Sequence, residues 1–338
     1  MKKELAKLKD FSIFKMEKNI IIGIFIILFI IPIIIKDKTI INVVTLIEIY
    51  IILVSSLNVI NGYSGQFSVG QAAFYCVGAY TAGILSTTYD ISFWLVLPIA
   101  GIVTAIFSLT LSIPTAKLRG NYFTIVTLGM CEVTRLLCVN LKSLTRGPKG
   151  ISGIPSPVLF GIKYPRNLFF YYLLFVLCIA MIFLTSRILK SRIGRAWLAI
   201  RENQDAASSL GVNAVKYKML NLAYSAFWAG IAGCVYAYFQ RFIEPSIFSI
   251  DESFNIMTMN VIGGQGTLLG PIIGAIVIKV ITELFRFALQ YRMLIYSALI
   301  IFMMWVRPQG LVGSASLTKA KKKKEQTLKA EVGGNTDE

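Results

Sequence analysis

Two stretches of the chain hold most of the polar groups that a membrane-depth site could use. The first, Asn61 to Gly83, interleaves Gly62, Gly65, Gly70, Gly78 and Gly83 with Ser64, Gln66, Ser68 and Gln71. The second, Val261 to Ala275, sets Gly263, Gly264, Gly266, Gly270 and Gly274 around Gln265, Thr267 and Pro271. Amides and hydroxyls hydrogen-bond a passing solute, so they suit a lined path rather than bond chemistry. In lipid, non-helical backbone survives only where protein buries it or where it lines water. Glycine also permits close helix packing, and the Gly266, Gly270 and Gly274 spacing fits that use. Gly-interrupted apolar segments at corresponding places in two halves point to an internal repeat with a pathway at its interface. The expected pathway residues are Gly62, Ser64, Gly65, Gln66, Ser68, Gly70 and Gln71 in one break. In the other they are Gly263, Gly264, Gln265, Gly266 and Thr267. Span counting puts both breaks near one side, which argues against an inverted repeat.

Charged groups at membrane depth are few. Glu132 and Arg135 stand three apart, and Lys279, Glu283 and Arg286 stand four and three apart, spacings that let each set pair on its own helix face. Glu48 is the one plausible unpaired acid, and a proton-driven carrier would need such a group. The chain has no His, which removes His metal sites, Ser-His triads and His proton relays. Cys76, Cys131, Cys138, Cys178 and Cys234 form no CxxC pair and lie in or near apolar runs, as small core residues do. There is no GxxxxGK[ST] phosphate loop and no soluble stretch long enough for a nucleotide site. No catalytic or metal constellation is present, so neither an enzyme nor a cofactor site is expected on this chain.

The elements that must hold these groups follow from composition. Of 338 residues 56% are hydrophobic, and 15% are charged against roughly 25% in an average soluble protein. A transmembrane helix needs about 20 mostly apolar residues, and the sequence offers eight to ten such runs. The fold class is therefore all-α, a polytopic helical membrane protein in one domain. The expected spans are Asn19–Ile35, Ile40–Ile60, Ser68–Thr88, Phe93–Ile113, Tyr122–Asn140, Leu168–Ser186, Met219–Gln240, Phe254–Gly264, Thr267–Phe287 and Met293–Val306. Residues 1–18 read as a basic cytoplasmic head, 19–312 as the transmembrane domain, and 313–338 as a charged, disordered cytoplasmic tail. The net charge of +17 reflects cytoplasmic retention of Lys and Arg and attraction to anionic lipid, with no nucleic acid implied.

One long polar interruption divides the later spans, residues 187–218. Seven of its residues are basic (Arg187, Lys190, Arg192, Arg195, Arg201, Lys216 and Lys218), against the acids Glu202 and Asp205. Short basic loops are expected on the cytoplasmic side. Arg195 to Leu210 contains neither Gly nor Pro and stops at Gly211, which predicts one helix that a soluble partner could grip. A solvated connector that only sets topology is the plainer use of such a loop. The loop Leu141–Asn167 is also basic, yet the count places it outside; its Gly and Pro content predicts an ordered, turn-rich segment.

Six motifs in order resemble those of a known family. They are NGYSGQFSVGQAAFYCVGAY (Asn61–Tyr80), LRGNYFTIVTLGMCEVTRLL (Leu118–Leu137), TRGPKGISGIP (Thr145–Pro155), SRIGRAWLAIRENQDAASSLGV (Ser191–Val212), VIGGQGTLLGPIIGA (Val261–Ala275) and WVRPQGL (Trp305–Leu311). The chain resembles the permease subunit of bacterial branched-chain amino-acid ABC importers, in the LivM-type branch, from about Ile40 to Gly313. Gln71 stands where some wider relatives carry His.

The resemblance implies a multi-pass protein of the bacterial inner membrane with both termini cytoplasmic. It also implies a second homologous permease as heterodimer partner, two cytoplasmic ATPases that bind ATP and Mg, and an extracytoplasmic binding protein delivering the substrate. Arg195–Gly211 then corresponds to the coupling segment. Its expected residues are Gly194, Arg195, Ala196, Arg201, Glu202, Asp205, Ala206 and Gly211, with Ala196, Ala199, Ala206 and Ala207 allowing close approach of the ATPase. Branched-chain or related aliphatic amino acids are the implied cargo. Urea, short amides or other amino acids are alternatives, as is a stand-alone ion-coupled carrier using Glu48.

Overall fold

The computed structural model describes residues 37–115, 120–157 and 166–284, together with residues 21, 23–25, 28–30, 32, 301, 305 and 310–312. Its principal helices are α1 (Lys38–Asn58), α2 (Gln71–Thr88), α3 (Phe93–Thr115), α4 (Asn121–Asn140), α5 (Arg166–Lys190), α6 (Arg192–Glu202), α7 (Gln204–Ser209), α8 (Ala214–Gln240), α9 (Ile250–Gly263) and α10 (Gly270–Leu284). Among the described residues five segments are long and apolar enough to cross a membrane: α1 with the turn that follows it, α3, α4, α5 and α8. The protein is an all-α, multi-pass membrane protein. Most of the expected spans Asn19–Ile35 and Met293–Val306 lies outside the described residues, as do Arg286 and both termini.

α8 is the central helix and packs against α1, α2 and α3. Its small residues Ala226, Ala229, Ala232, Gly233 and Cys234 are all buried, which allows neighbours on every side. At the α2–α8 crossing a Cβ on Gly78 would fall on the backbone of Gly230, and one on Gly230 would meet Thr104 of α3. Three helices therefore meet at backbone distance there. α1 packs on α5, α9 and α10, and Phe25 and Phe29, in a helical stretch before α1, stack edge-on or tilted against α5 through Phe175 and Tyr172.

At one end of the bundle residues 141–157 of the turn-rich loop are held by turns, with Arg146 in the left-handed region, and by a two-residue strand pair. β1 (Ile151–Ser152) runs antiparallel to β2 (Phe242–Ile243), with Ile151 opposite Ile243. From there a short turn, Pro245–Phe248, carries Phe248 inward to stack on Tyr75 at 5.0 Å. The opposite end carries α6, α7, both glycine-rich breaks and Gly310–Val312.

Several boundaries differ from the sequence expectation, among them the start of α8 at Ala214 rather than Met219 and of α10 at Gly270 rather than Thr267. The single helix expected over Arg195–Leu210 is two helices, broken at Asn203. That residue is extended (φ −159°, ψ 111°), and its side-chain oxygen accepts from the backbone N–H groups of Asp205 and Ala206. This cap satisfies donors that a continuous helix would have bonded internally. The third span begins at Gln71 rather than Ser68, because the residues before Gln71 are irregular. α9 begins at Ile250, four residues before the expected Phe254.

Candidate functional site

The site is built where the two breaks meet. α1 does not stop cleanly at Asn58; Val59–Tyr63 widens into a π turn. The Nδ2 of Asn221, from α8, donates to Val59 O at 3.0 Å. The chain then runs irregularly as far as Gly70, and several of its backbone groups are taken up by side chains. Ser68 N–H donates to Asn61 Oδ1 at 2.9 Å, Val69 N–H to Thr127 Oγ1 at 3.1 Å, and Ala72 N–H to Ser253 Oγ at 3.0 Å. Gln71 opens α2 with its Nε2 on Ser56 Oγ at 2.5 Å, while its Oε1 has no partner. Ser64 is buried with an unpartnered hydroxyl, Gly70 packs on Thr127, and Gly65 and Phe67 form the exposed edge of the break.

The second break joins α9 to α10. Gly264 lies at φ +112°, a conformation rarely open to an L side chain. Thr267 Oγ1 donates to Gly264 O at 3.1 Å and accepts from Gly270 N–H at 2.9 Å, which holds the start of α10. Leu311 N–H and Val312 N–H donate to the carbonyls of Ile262 and Gly263 at 2.8 and 3.0 Å, so the WVRPQGL motif packs its end onto the same joint. Gln265 and Gly266 are half-buried, and Gly263 is buried against Gly270.

Asn58 fastens the breaks to one another. Its Oδ1 accepts from Gly266 N–H at 2.8 Å and its Nδ2 donates to Thr267 O at 2.8 Å. A Cβ on Gly62 would collide with Asn58 Oδ1 and Gly266 N, so glycine is what permits the approach. Arg201 of α6 reaches into this contact: its Nη1 donates to Gly62 O at 2.6 Å, and its side chain lies against Gly65 and Gly266. One guanidinium thus touches both breaks.

α6 is anchored for this reach. Trp197 is buried among Val59, Tyr63, Ile188, Leu189 and Tyr217, and its Nε1 donates to Tyr217 O at 2.9 Å. Gly194 is buried against Ile188 and Leu189 at the end of α5, where a side chain would strike backbone. Ala196 and Ala207 turn inward, so the close approach they allow is to the protein's own core rather than to a partner; Ala207 packs with Ile200 and Ala214. The outward face is Arg195, Leu198, Ala199, Glu202, Asp205 and Ala206, followed by Leu210 and Gly211.

Sequence reasoning missed Asn58, Trp197 and Asn203. A Trp197, Ile200 and Arg201 stripe at i, i+3 and i+4 was the available signal for the inward face of α6. It also missed Glu252, which accepts from Tyr50 OH; Lys279 Nζ stands 3.4 Å over the Tyr50 ring, tying α1, α9 and α10 together. Glu48 is buried in α1 with neither carboxylate oxygen hydrogen-bonded. Arg135 Nε contacts both oxygens of Glu132 at 3.1 and 3.0 Å.

A multi-pass helical protein, with an extramembrane helix pinned onto two broken membrane segments, has the architecture of a membrane permease. The family described as branched-chain amino acid transport system / permease component matches residues 39–304, and the chain belongs to it. The permease protein LivM of the high-affinity branched-chain amino acid transport system of Salmonella typhimurium LT2 is 37% identical over 295 residues, covering 80% of this chain and 69% of that one. Its Escherichia coli K12 counterpart is 38% identical with the same coverage. The LivH permease protein of Escherichia coli K12 is 26% identical over 300 residues, covering 82% of this chain and 96% of that one. No solved structure matches the chain.

Proposed function

We propose that this chain is one permease subunit of an ATP-driven importer that moves branched-chain or related aliphatic amino acids inward across the bacterial plasma membrane. Its partners are a second homologous permease, two cytoplasmic ATPases that bind ATP and Mg, and an extracytoplasmic binding protein that delivers the substrate. Relatives named LivM and LivH are each described as a permease protein of the high-affinity branched-chain amino acid transport system in Escherichia coli, which supports a heterodimer. In this reading both termini are cytoplasmic.

The observation that carries the mechanism is the bond from Arg201 to Gly62 O. Closure of the ATPase pair moves α6 and α7 as a short rigid unit gripped on its outer face at Arg195, Glu202, Asp205 and Ala206. Gly194 and Gly211 mark where that unit joins α5 and the approach to α8. The motion passes through Arg201 to the joint between the breaks, and so to α1, α2, α9 and α10. The residues Gly62 to Gln71 and Gly263 to Thr267 form the inner end of the path, closed while the joint is packed and opened when it parts.

The test is purification of the tagged chain from its native membrane, with partner identification and an ATPase assay. Recovery with a second permease and ATP-hydrolysing subunits is the expected result. Recovery alone, with uptake driven by a proton or sodium gradient in liposomes, would overturn it and assign the coupling acid to Glu48, the buried carboxylate without a hydrogen-bond partner.

A further inference from the structure

Of the five membrane-length segments, α4 and α8 are the least apolar. For α8 the reason is cover: 78% of its central window is buried in the protein. α4 has no such cover, being 28% buried, yet its middle carries an ion pair. The Glu132 and Arg135 side chains expose 33% and 29% of their surface, although each is held by the other. A charged side chain at mid-membrane costs about 2.5–3.5 kcal/mol on insertion scales, and such groups accordingly face protein or water. Ile102, Ile106, Val176 and Phe183, exposed on the interior turns of α3 and α5, are all apolar, as lipid contact requires.

The pair stands on a particular flank of α4. Thr124, Leu128, Glu132, Arg135 and Val139 recur at helical spacing along one side, and all five are half-exposed. At the lower end of this strip Thr124 Oγ1 donates to Phe67 O at 2.7 Å, where Gly65 and Phe67 form the open edge of the first break. A half-open strip therefore leads from mid-membrane to the joint that Arg201 controls.

We infer that this flank of α4 lines the water-filled path, and that Glu132 and Arg135 form a transient binding site for the zwitterionic head of the amino acid. Arg135 takes the α-carboxylate and Glu132 the α-ammonium. The inference rests on the amino-acid reading given above. Without substrate the two side chains neutralise each other, so the path carries no net charge at its centre. An arriving zwitterion exchanges one intrahelical ion pair for two intermolecular ones, again with no net charge to desolvate. The exchange is close to balanced, which suits a site that must release what it binds.

The experiment uses the whole transporter, this chain with its second permease, ATPases and binding protein, reconstituted in liposomes. All five native cysteines are buried, so a charged methanethiosulfonate reagent reads added thiols. Leu128→Cys is expected to react about tenfold or more faster than Val133→Cys on the opposite, lipid-facing flank. Glu132→Gln and Arg135→Gln are each expected to lower maximal leucine uptake about tenfold or more at an unchanged yield of assembled complex. Equal, slow modification of Leu128→Cys and Val133→Cys would overturn the proposal, because the flank would then be dry. Uptake within about twofold of wild type in both charge variants would overturn it as well. So would loss of the second permease from the purified variant complexes, which would assign the pair to subunit packing. Failure of wild-type liposomes to take up leucine, isoleucine or valine would instead strike the amino-acid reading itself.

Discussion

Arg201 occupies a position that an exposed basic loop does not ordinarily offer. Its guanidinium leaves the solvated face of α6 and donates to a carbonyl freed by the end of α1, between two glycines that have no side chains to shield it. Hydrogen bonds to charged groups contribute about 1.5–3 kcal/mol. If that bond transmits motion, its loss lets α6 move without the joint following. Arg201→Gln is expected to leave ATP hydrolysis by the assembled transporter running while leucine moved per ATP falls about tenfold, since about 1.4 kcal/mol is tenfold in an equilibrium constant. Parallel measurement of phosphate release and labelled-leucine uptake decides it. An unchanged ratio of the two would reduce Arg201 to a local staple.

At the scale of elements, the crossing of α2, α3 and α8 fixes the frame against which the joint moves. A methyl on Gly230 would meet Thr104 of α3 and the backbone carbonyl of Ala100. Overpacking a tight interior costs typically about 1–3 kcal/mol. Gly230→Ala is accordingly expected to lower the thermal unfolding midpoint of the purified complex, while Gly23→Ala, with nothing near its added methyl, leaves it unchanged. Equal midpoints would mean that the crossing has slack. The breaks were legible in the sequence because glycines and amides stand out within apolar runs, and family membership was legible because six motifs kept their order. Asn58 was not, since one amide inside a long apolar helix has no periodic signature; its meaning arises only from Gly266 and Thr267, over two hundred residues away. The break at Asn203 was hidden for a related reason. The segment around it is rich in good helix formers, and only the side-chain cap decides against continuity.

For the whole molecule the consequence is sidedness. Gly62, Gly266, Arg201 and Gly310–Val312 share one end, and the β1–β2 pair with its flanking loops occupies the other. The basic residues do not divide so neatly: Lys142, Arg146 and Lys149 lie with the strand pair, against the usual cytoplasmic retention of positive charge. An ordered structure explains how that loop tolerates its charge. Thr145 Oγ1 donates to Cys138 O at 2.6 Å, and Ile151 and Ile154 are buried, so the segment is fixed by packing. If the end carrying Arg201 is cytoplasmic, Lys149→Cys is expected to react with a membrane-impermeant thiol reagent in intact cells from which the outer barrier has been removed. Leu210→Cys, 85% exposed, is expected to react only after the membrane is opened, and the buried native cysteines give little background. The reverse pattern would put the coupling segment outside, where no ATP-hydrolysing partner could reach it, and the ATP-driven mechanism would fall with the topology.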